Sequence, residues 1–117
     1  MRPEDRDAAL IWDILNACYE VREFVKNCTY HEFENNKILR YAVERQIIVI
    51  GEASRKLSEN FKAAHTDIPW PLIIAQRNII AHEYGEILVE RVWRVAKERI
   101  PELTDLIEPL LPEIPEN

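Results

Sequence analysis

Apolar residues recur at helical spacing through most of the chain. Leu10, Ile14, Ala17, Cys18, Val21, Phe24 and Val25 follow one another at short, mostly three- and four-residue steps. At 3.6 residues per turn that spacing draws one stripe along a helix. It predicts a first helix over residues 3–27, opened by Pro3 and by Glu4, Asp5 and Asp7, whose carboxylates favour the positive end of the helix dipole. A longer second helix is predicted over 32–64, with Ile38, Tyr41, Ala42, Ile48, Val49, Ala53, Leu57 and Phe61 as its stripe and Leu39, Val43, Ile47 and Ile50 widening it. A helix apolar over so much of its girth is expected to be covered on a second side, by another subunit. Pro69 and Pro71 then interrupt the pattern, and a third helix is predicted over 71–84, stopped by Gly85. A fourth spans 87–100 with Leu88, Val92, Trp93, Val95, Ala96 and Ile100 inward, kinked or restarted by Pro101 and followed by a last turn or two carrying Leu103, Leu106 and Ile107. Pro109, Pro112 and Pro115 predict an extended, mobile tail. The expected architecture is all-α: a four- to five-helix up-and-down bundle over residues 1–108, with a proline-spaced tail over 109–117.

Composition narrows this further. Only two glycines, Gly51 and Gly85, occur in 117 residues, too few turn-formers for a many-stranded sheet. A chain of this length is one domain able to bury a core without metals or disulfides. The net charge of −6 excludes a protein that grips nucleic acid by bulk electrostatics. Any RNA contact must be local, at a small cationic patch, and the acidic balance suits a protein partner equally well. Cys18 and Cys28, ten residues apart along and just past the first predicted helix, would stand about 15 Å apart at helical rise, beyond disulfide reach, which predicts two free thiols in a reducing compartment. With no signal-peptide pattern and no apolar run of membrane-spanning length, the expected location is the cytoplasm.

The candidate chemistry is concentrated in Arg77-Asn78-Ile79-Ile80-Ala81-His82-Glu83-Tyr84. A permanent cation, an amide, an imidazole and a phenol lie within eight residues. A cation can hold a phosphodiester, and a group titrating near pH 6.5 can take and return a proton at neutral pH. Asn78 and His82, four apart, share a helix face, whereas Arg77 and His82, five apart, diverge by about 140°. Either the long arginine side chain wraps round, or a two-fold related copy completes the site; the second is favoured by the broad apolar girth of the second helix. His82 also lies in the last turn before Gly85, where the dipole favours the imidazolium.

Other templates fail. His82-Glu83 has no second histidine at zinc-protease spacing, no Glu-x-x-His pair is present, neither cysteine has a close cysteine partner, and two isolated glycines make no phosphate loop. His31 and His65 read as loop or cap residues. Glu44 and Glu59 are expected to be solvated, and Glu52, after Gly51, to be partly buried and partnered. An arginine and a histidine five residues apart also occur in helical proteins with no shared role, so the surrounding blocks decide.

Those blocks carry a resemblance over nearly the whole chain, from about Asp7 to Leu106. Arg77-Asn78-x3-His82-x-Tyr84, the preceding Ile68-Pro69-Trp70, Val43-Glu44-Arg45 leading to Ile50-Gly51-Glu52-Ala53, and Val92-Trp93 downstream together resemble the HEPN-domain toxins of the HepT type. The resemblance implies a homodimeric, metal-independent endoribonuclease without cofactor, with Arg77 and His82 of both subunits catalytic, Asn78 and Glu52 supporting, and RNA as substrate. It also implies a nucleotidyltransferase antitoxin as partner, in a hetero-oligomer of higher order, that adenylylates Tyr84. The competing function is a non-catalytic helical module that binds a nucleotide and partners the nucleotidyltransferase.

Overall fold

The computed structural model describes residues 3–82 and 86–113, with side chains over 5–80 and 88–111. Helices α1 (Pro3–Val25) and α3 (Lys37–Lys56) form its central pair, and α5 (Trp70–His82) packs on the other side of α3. A C-terminal helical stretch closes against α1: α6 (Glu86–Arg94), a π-turn over Val95–Arg99, and α7 (Ile100–Ile107). Short helices α2 (Tyr30–Glu34) and α4 (Glu59–Ala64) flank α3 at its two ends. The architecture is the expected all-α bundle. Among the described residues there is no strand, and no helix is long and apolar enough to cross a membrane.

Where helices end differs from the periodicity, and each difference has a local cause. Helix α1 stops at Val25 because Asn27 adopts φ 58°, the left-handed conformation that ends helices. Lys97 then donates its Nζ to the Val25 carbonyl at 2.8 Å, a cation placed on the negative end of the α1 dipole. The predicted second helix is three helices. Asn36 caps α3 by accepting from the Leu39 N–H at 3.0 Å, and Ser58 caps α4 by accepting from the Phe61 N–H at 3.1 Å. Short polar side chains compete with the helical backbone for such bonds, and apolar periodicity carries no trace of that competition. The second break is reinforced from afar. Buried Asp7 accepts from the Ser58 N–H at 2.8 Å and from its hydroxyl at 2.7 Å.

The buried stripe of α3 is also not the one first expected. Val43, Ile47 and Ile50 are buried, while Ile38 is 82% and Tyr41 58% exposed. The buried side continues into Gly51, Ala53 and Ser54, and small residues let α1 and α5 approach as the opposite side could not. Phe24, expected inward, is exposed. Glu44, expected to be solvated, is half-buried, and burial raises its carboxyl pKa against the opposing pull of Arg40. Both cysteines are free, as predicted; Cys18 is fully buried, and desolvation pushes its thiol up to about 12.

Pro101 stands in the first turn of a restarted α-helix, as expected, and the chain does not break there. It enters α7 directly after the π-turn, in which the Ile100 N–H bonds to the Val95 carbonyl five residues back. A wide turn absorbs the mismatch that a proline, lacking an N–H and crowding the preceding turn, imposes on an α-helix. The segment from Pro109, expected to be extended, continues as a 3-10 helix over Glu108–Glu113. Leu110 is buried, and the Tyr19 hydroxyl donates to Glu108 Oε1 at 2.8 Å. Pro115 lies outside the described residues.

The crossing of α3 and α5 positions everything that follows. A Cβ on Gly51 would sit 2.6 Å from Arg77 Cβ, 3.2 Å from its Cγ and 3.5 Å from the Ile73 carbonyl oxygen. Arg77 Cβ is fixed to the α5 backbone and cannot swing aside. Gly51→Ala gains about 1 kcal/mol of helix propensity but forces overpacking that costs about 1–3 kcal/mol. The variant is expected to unfold at lower urea than the native chain. A midpoint unchanged or raised would mean that separating the two helices costs no more than the helix propensity gained.

Candidate active site

Helix α5 presents Arg77 and Asn78 at its middle and carries His82 as its last described helical residue. Ile73 and Ile80 are buried on the inner side of the helix and fix its rotation. Arg77 then meets α3 at Gly51, where the absent side chain leaves room for the arginine stem. Its head reaches the next residue along α3: Arg77 Nη2 lies 3.7 Å from Glu52 Oε1, and Nη1 donates to Asn78 Oδ1 at 3.1 Å. The structure therefore brings together Arg77, Asn78 and Glu52 from two helices.

The electrostatics favour exchange. The Arg77 and Glu52 side chains are 41% and 40% exposed, and ion pairs this open contribute about 0–1 kcal/mol. Glu52 can hold the guanidinium in place yet yield to a phosphate, which binds the same planar fork through two parallel charge-assisted hydrogen bonds. The outer side of α5 borders a wide depression where Asn78 meets Trp70, Pro71, Ile74 and Ala75, with Glu59 and Lys62 of α4 at its rim.

The backbone of α5 is helical through His82, so the five-residue step from Arg77 keeps its rotation of about 140°. The His82 side chain, and Tyr84 and Gly85 altogether, lie outside the described residues. The other histidines are accounted for locally. His65 terminates α4, packs its ring at a tilt against Phe61 with centroids 4.6 Å apart, and its carbonyl accepts from Trp70 Nε1 at 3.1 Å; His31, in α2, is exposed beside the capping residue Asn35. Among the described residues no cluster of three or more His, Cys, Asp or Glu is placed to hold a metal ion.

Sequence reasoning missed Gly51 as part of the site. One signal was available. A mid-helix glycine costs about 1 kcal/mol relative to alanine, so one of only two glycines standing inside a long helical pattern calls for a close-packing reason. Which side chain it admits is a tertiary fact.

Comparison with known proteins identifies the family. The family profile "HepT-like: Ribonuclease HepT-like" matches residues 14–110. "Putative RNase MJ1380" of Methanocaldococcus jannaschii is 39% identical over 86% of this chain and 92% of its own. "Putative RNase MJ1216" of the same organism is 35% identical over 91% of this chain and 88% of its own. "Probable ribonuclease HepT" of Thermococcus cleftensis is 34% identical over 84% and 89%. No solved structure gives a significant match. The match over most of the domain, together with relatives aligned nearly end to end, establishes that the chain belongs to the HepT-like ribonuclease family.

Proposed function

We propose that this protein is a metal-independent endoribonuclease, the toxin of a type VII-like toxin–antitoxin pair, and that Arg77 and His82 from two subunits form its catalytic site. The observation that carries the reading is the seat of Arg77. Its stem is held over Gly51 and its head by a weak, open ion pair to Glu52, on the helix that also carries His82. That is a pre-placed, displaceable cation on the same helix as a proton-transfer group, and two copies together would hold the equipment for cleaving a phosphodiester with the substrate's own hydroxyl.

A neutral His82 takes the proton of a ribose 2′-hydroxyl as that oxygen bonds to the adjacent phosphorus. The P–O5′ bond breaks, and a protonated His82 from the second subunit gives its proton to the departing 5′-oxygen. The products are a 2′,3′-cyclic phosphate and a 5′-hydroxyl. Arg77 stabilises charge on the non-bridging oxygens, where a fixed donor acts more strongly than water. Asn78 holds one edge of the guanidinium, leaving the rest for phosphate.

The second subunit is needed because one helix cannot turn both groups to the same phosphate. Support comes from the exposed side of α3. Ile38, Tyr41, Arg45, Ile48 and Glu52 step by three, four, three and four residues, the spacing of a seam between two helices. The first two are the exposed apolar residues noted above, and the last is the ion-pair partner of Arg77. A copy docked along this seam by a two-fold axis brings two Arg77 seats near one another.

His82→Ala and Arg77→Ala are each expected to reduce cleavage of total RNA by about 10²- to 10⁴-fold at unchanged helicity, with wild-type cleavage persisting in EDTA. Cleavage lost in EDTA and restored by magnesium would remove the metal-free mechanism. No cleavage by the wild type, with nucleotide binding intact, would favour a non-catalytic module.

Ile38→Glu combined with Tyr41→Glu places charges in the seam. Light scattering is expected to show the wild type at twice the chain mass and the variant at the monomer mass, with activity falling alongside. A wild-type monomer at micromolar concentration would sink the composite site.

Tyr84 is the proposed acceptor of AMP from the antitoxin. The added negative charge and bulk, brought to the cationic site, would repel the substrate phosphate. Incubation with the cognate nucleotidyltransferase and ATP is expected to add the mass of one or more AMP groups and silence the nuclease, while Tyr84→Phe stays unmodified and active. Modified protein cutting RNA as fast as unmodified protein would end this regulatory reading.

A further inference from the structure

A second cationic feature stands apart from Arg77. Between α5 and the C-terminal helical stretch runs a groove of about 300 Å³ lined by Arg91, Arg94 and Arg99 on one wall. Leu72 and Gln76 stand on the facing wall, and Val92 and Val95 are among its apolar floor residues. It continues past Arg99 into a smaller cleft walled by the same Leu72 and Gln76 and by Glu102.

The π-turn makes this wall. In an unbroken α-helix Arg91 and Arg99, eight residues apart, would diverge by about 80°. The wide turn over Val95–Arg99 takes up one extra residue, so eight steps turn like seven and the offset falls to about 20°. Arg94 lies about 60° from Arg91 to the same side. All three guanidinium-bearing chains are thereby gathered on one face. The remaining cation of the turn is used elsewhere: Lys97 Nζ donates to the Val25 carbonyl and lies 5.0 Å from the Trp93 ring centroid.

We infer that this groove is a track for the phosphodiester backbone of single-stranded RNA, leading the strand along α5 toward the catalytic end. The inference rests on the ribonuclease reading above and extends it to substrate form. Three arginines spread over about 12 Å of helix suit a repeating anion better than a lone phosphate. Beneath them is an apolar floor with a half-exposed Leu72 at its wall, which offers a surface for base faces, as guanidinium planes do. The apolar floor can engage base faces only where the bases are unpaired. Among the described residues Arg94 has no ion pair, and the pair of Arg99 with Glu102 is open, at 3.6 Å with both side chains half or more exposed, so phosphate displaces it at small cost. At its far end the groove reaches Ile79 and Ile80, two to three residues from His82 in the same helix. In a chain of net charge −6, this is the local cationic patch that RNA contact requires.

The test uses a fluorescent single-stranded oligonucleotide of mixed sequence, 2′-O-methylated so that it cannot be cleaved, titrated by anisotropy against the full chain at several salt concentrations. Arg94→Gln with Arg99→Gln is expected to weaken binding at least ten-fold. It should also lower the slope of log affinity against log salt by about 1.4, from about 0.7 per single-strand phosphate contact. The matching double lysine variant should recover most of that slope, and a duplex of the same sequence should compete poorly. Unchanged affinity and slope in the glutamine variant, with the wild type still cutting RNA, would overturn the track alone. So would a change of oligomeric state in light scattering in place of a change in affinity, because the groove would then be covered by a second copy. A wild-type chain that neither binds the probe nor cuts RNA would bring down the ribonuclease reading and the track together.

Discussion

The contact between Gly51 and the stem of Arg77 is the constraint on which the site depends. A 2.6 Å approach of a would-be Cβ to Arg77 Cβ means that only the stem of Arg77 lies between α3 and α5 at this point. Interhelical packing is set by the bulkiest residue at the crossing, so the glycine decides both how near the helices lie and where Arg77 emerges. Flexible arginines lose much entropy when they are held. Here the stem is already confined by backbone, and only the head remains to be oriented. Glu52, one residue further along α3, and Asn78, one residue further along α5, do that with interactions weak enough to be replaced.

Much of the fold was legible in the sequence because apolar periodicity is a local property. The stripe of α1, the break before α5 at Pro69 and the helicity of residues 70–82 all follow from residues near one another in the chain. What periodicity could not supply came from polar side chains and from distance. Asn36 and Ser58 break a continuous apolar pattern by capping, and Asp7 secures the second break from 51 residues away. The choice between two apolar sides of α3 was likewise tertiary: small residues on the Val43–Ile50 side admit two neighbours, leaving Ile38 and Tyr41 outside. Arg77 and Asn78 were identifiable as a polar pair in an apolar helix. Their link to Glu52 followed only once the α3–α5 crossing was known.

Pro101 shows how one local misfit spreads. A proline in mid-helix removes a hydrogen bond and crowds the turn before it. The chain meets this with a wide turn and keeps going, so Ile100, Leu103 and Ile107 still reach the core. The same turn changes the helix phase, and phase decides which side chains share a face. Sequence spacing gives the wrong answer for Arg99 because it assumes a uniform 3.6 residues per turn. Once the extra residue is included, a set of arginines that looked dispersed becomes a wall.

Net charge and local charge thus separate cleanly. An overall excess of six negative charges weakens attraction of RNA from afar, and screening limits that repulsion to about 8 Å at physiological ionic strength. Within that range the outcome depends on which side chains the helices turn outward. Helix α5 stands between two cationic features, the Arg77 seat on its α3 side and the arginine wall on its α6–α7 side. Each is made by a backbone irregularity rather than by basic composition: a missing side chain in one case, an extra residue in a turn in the other. A chain built this way can be acidic overall and still present cations at chosen points on its surface.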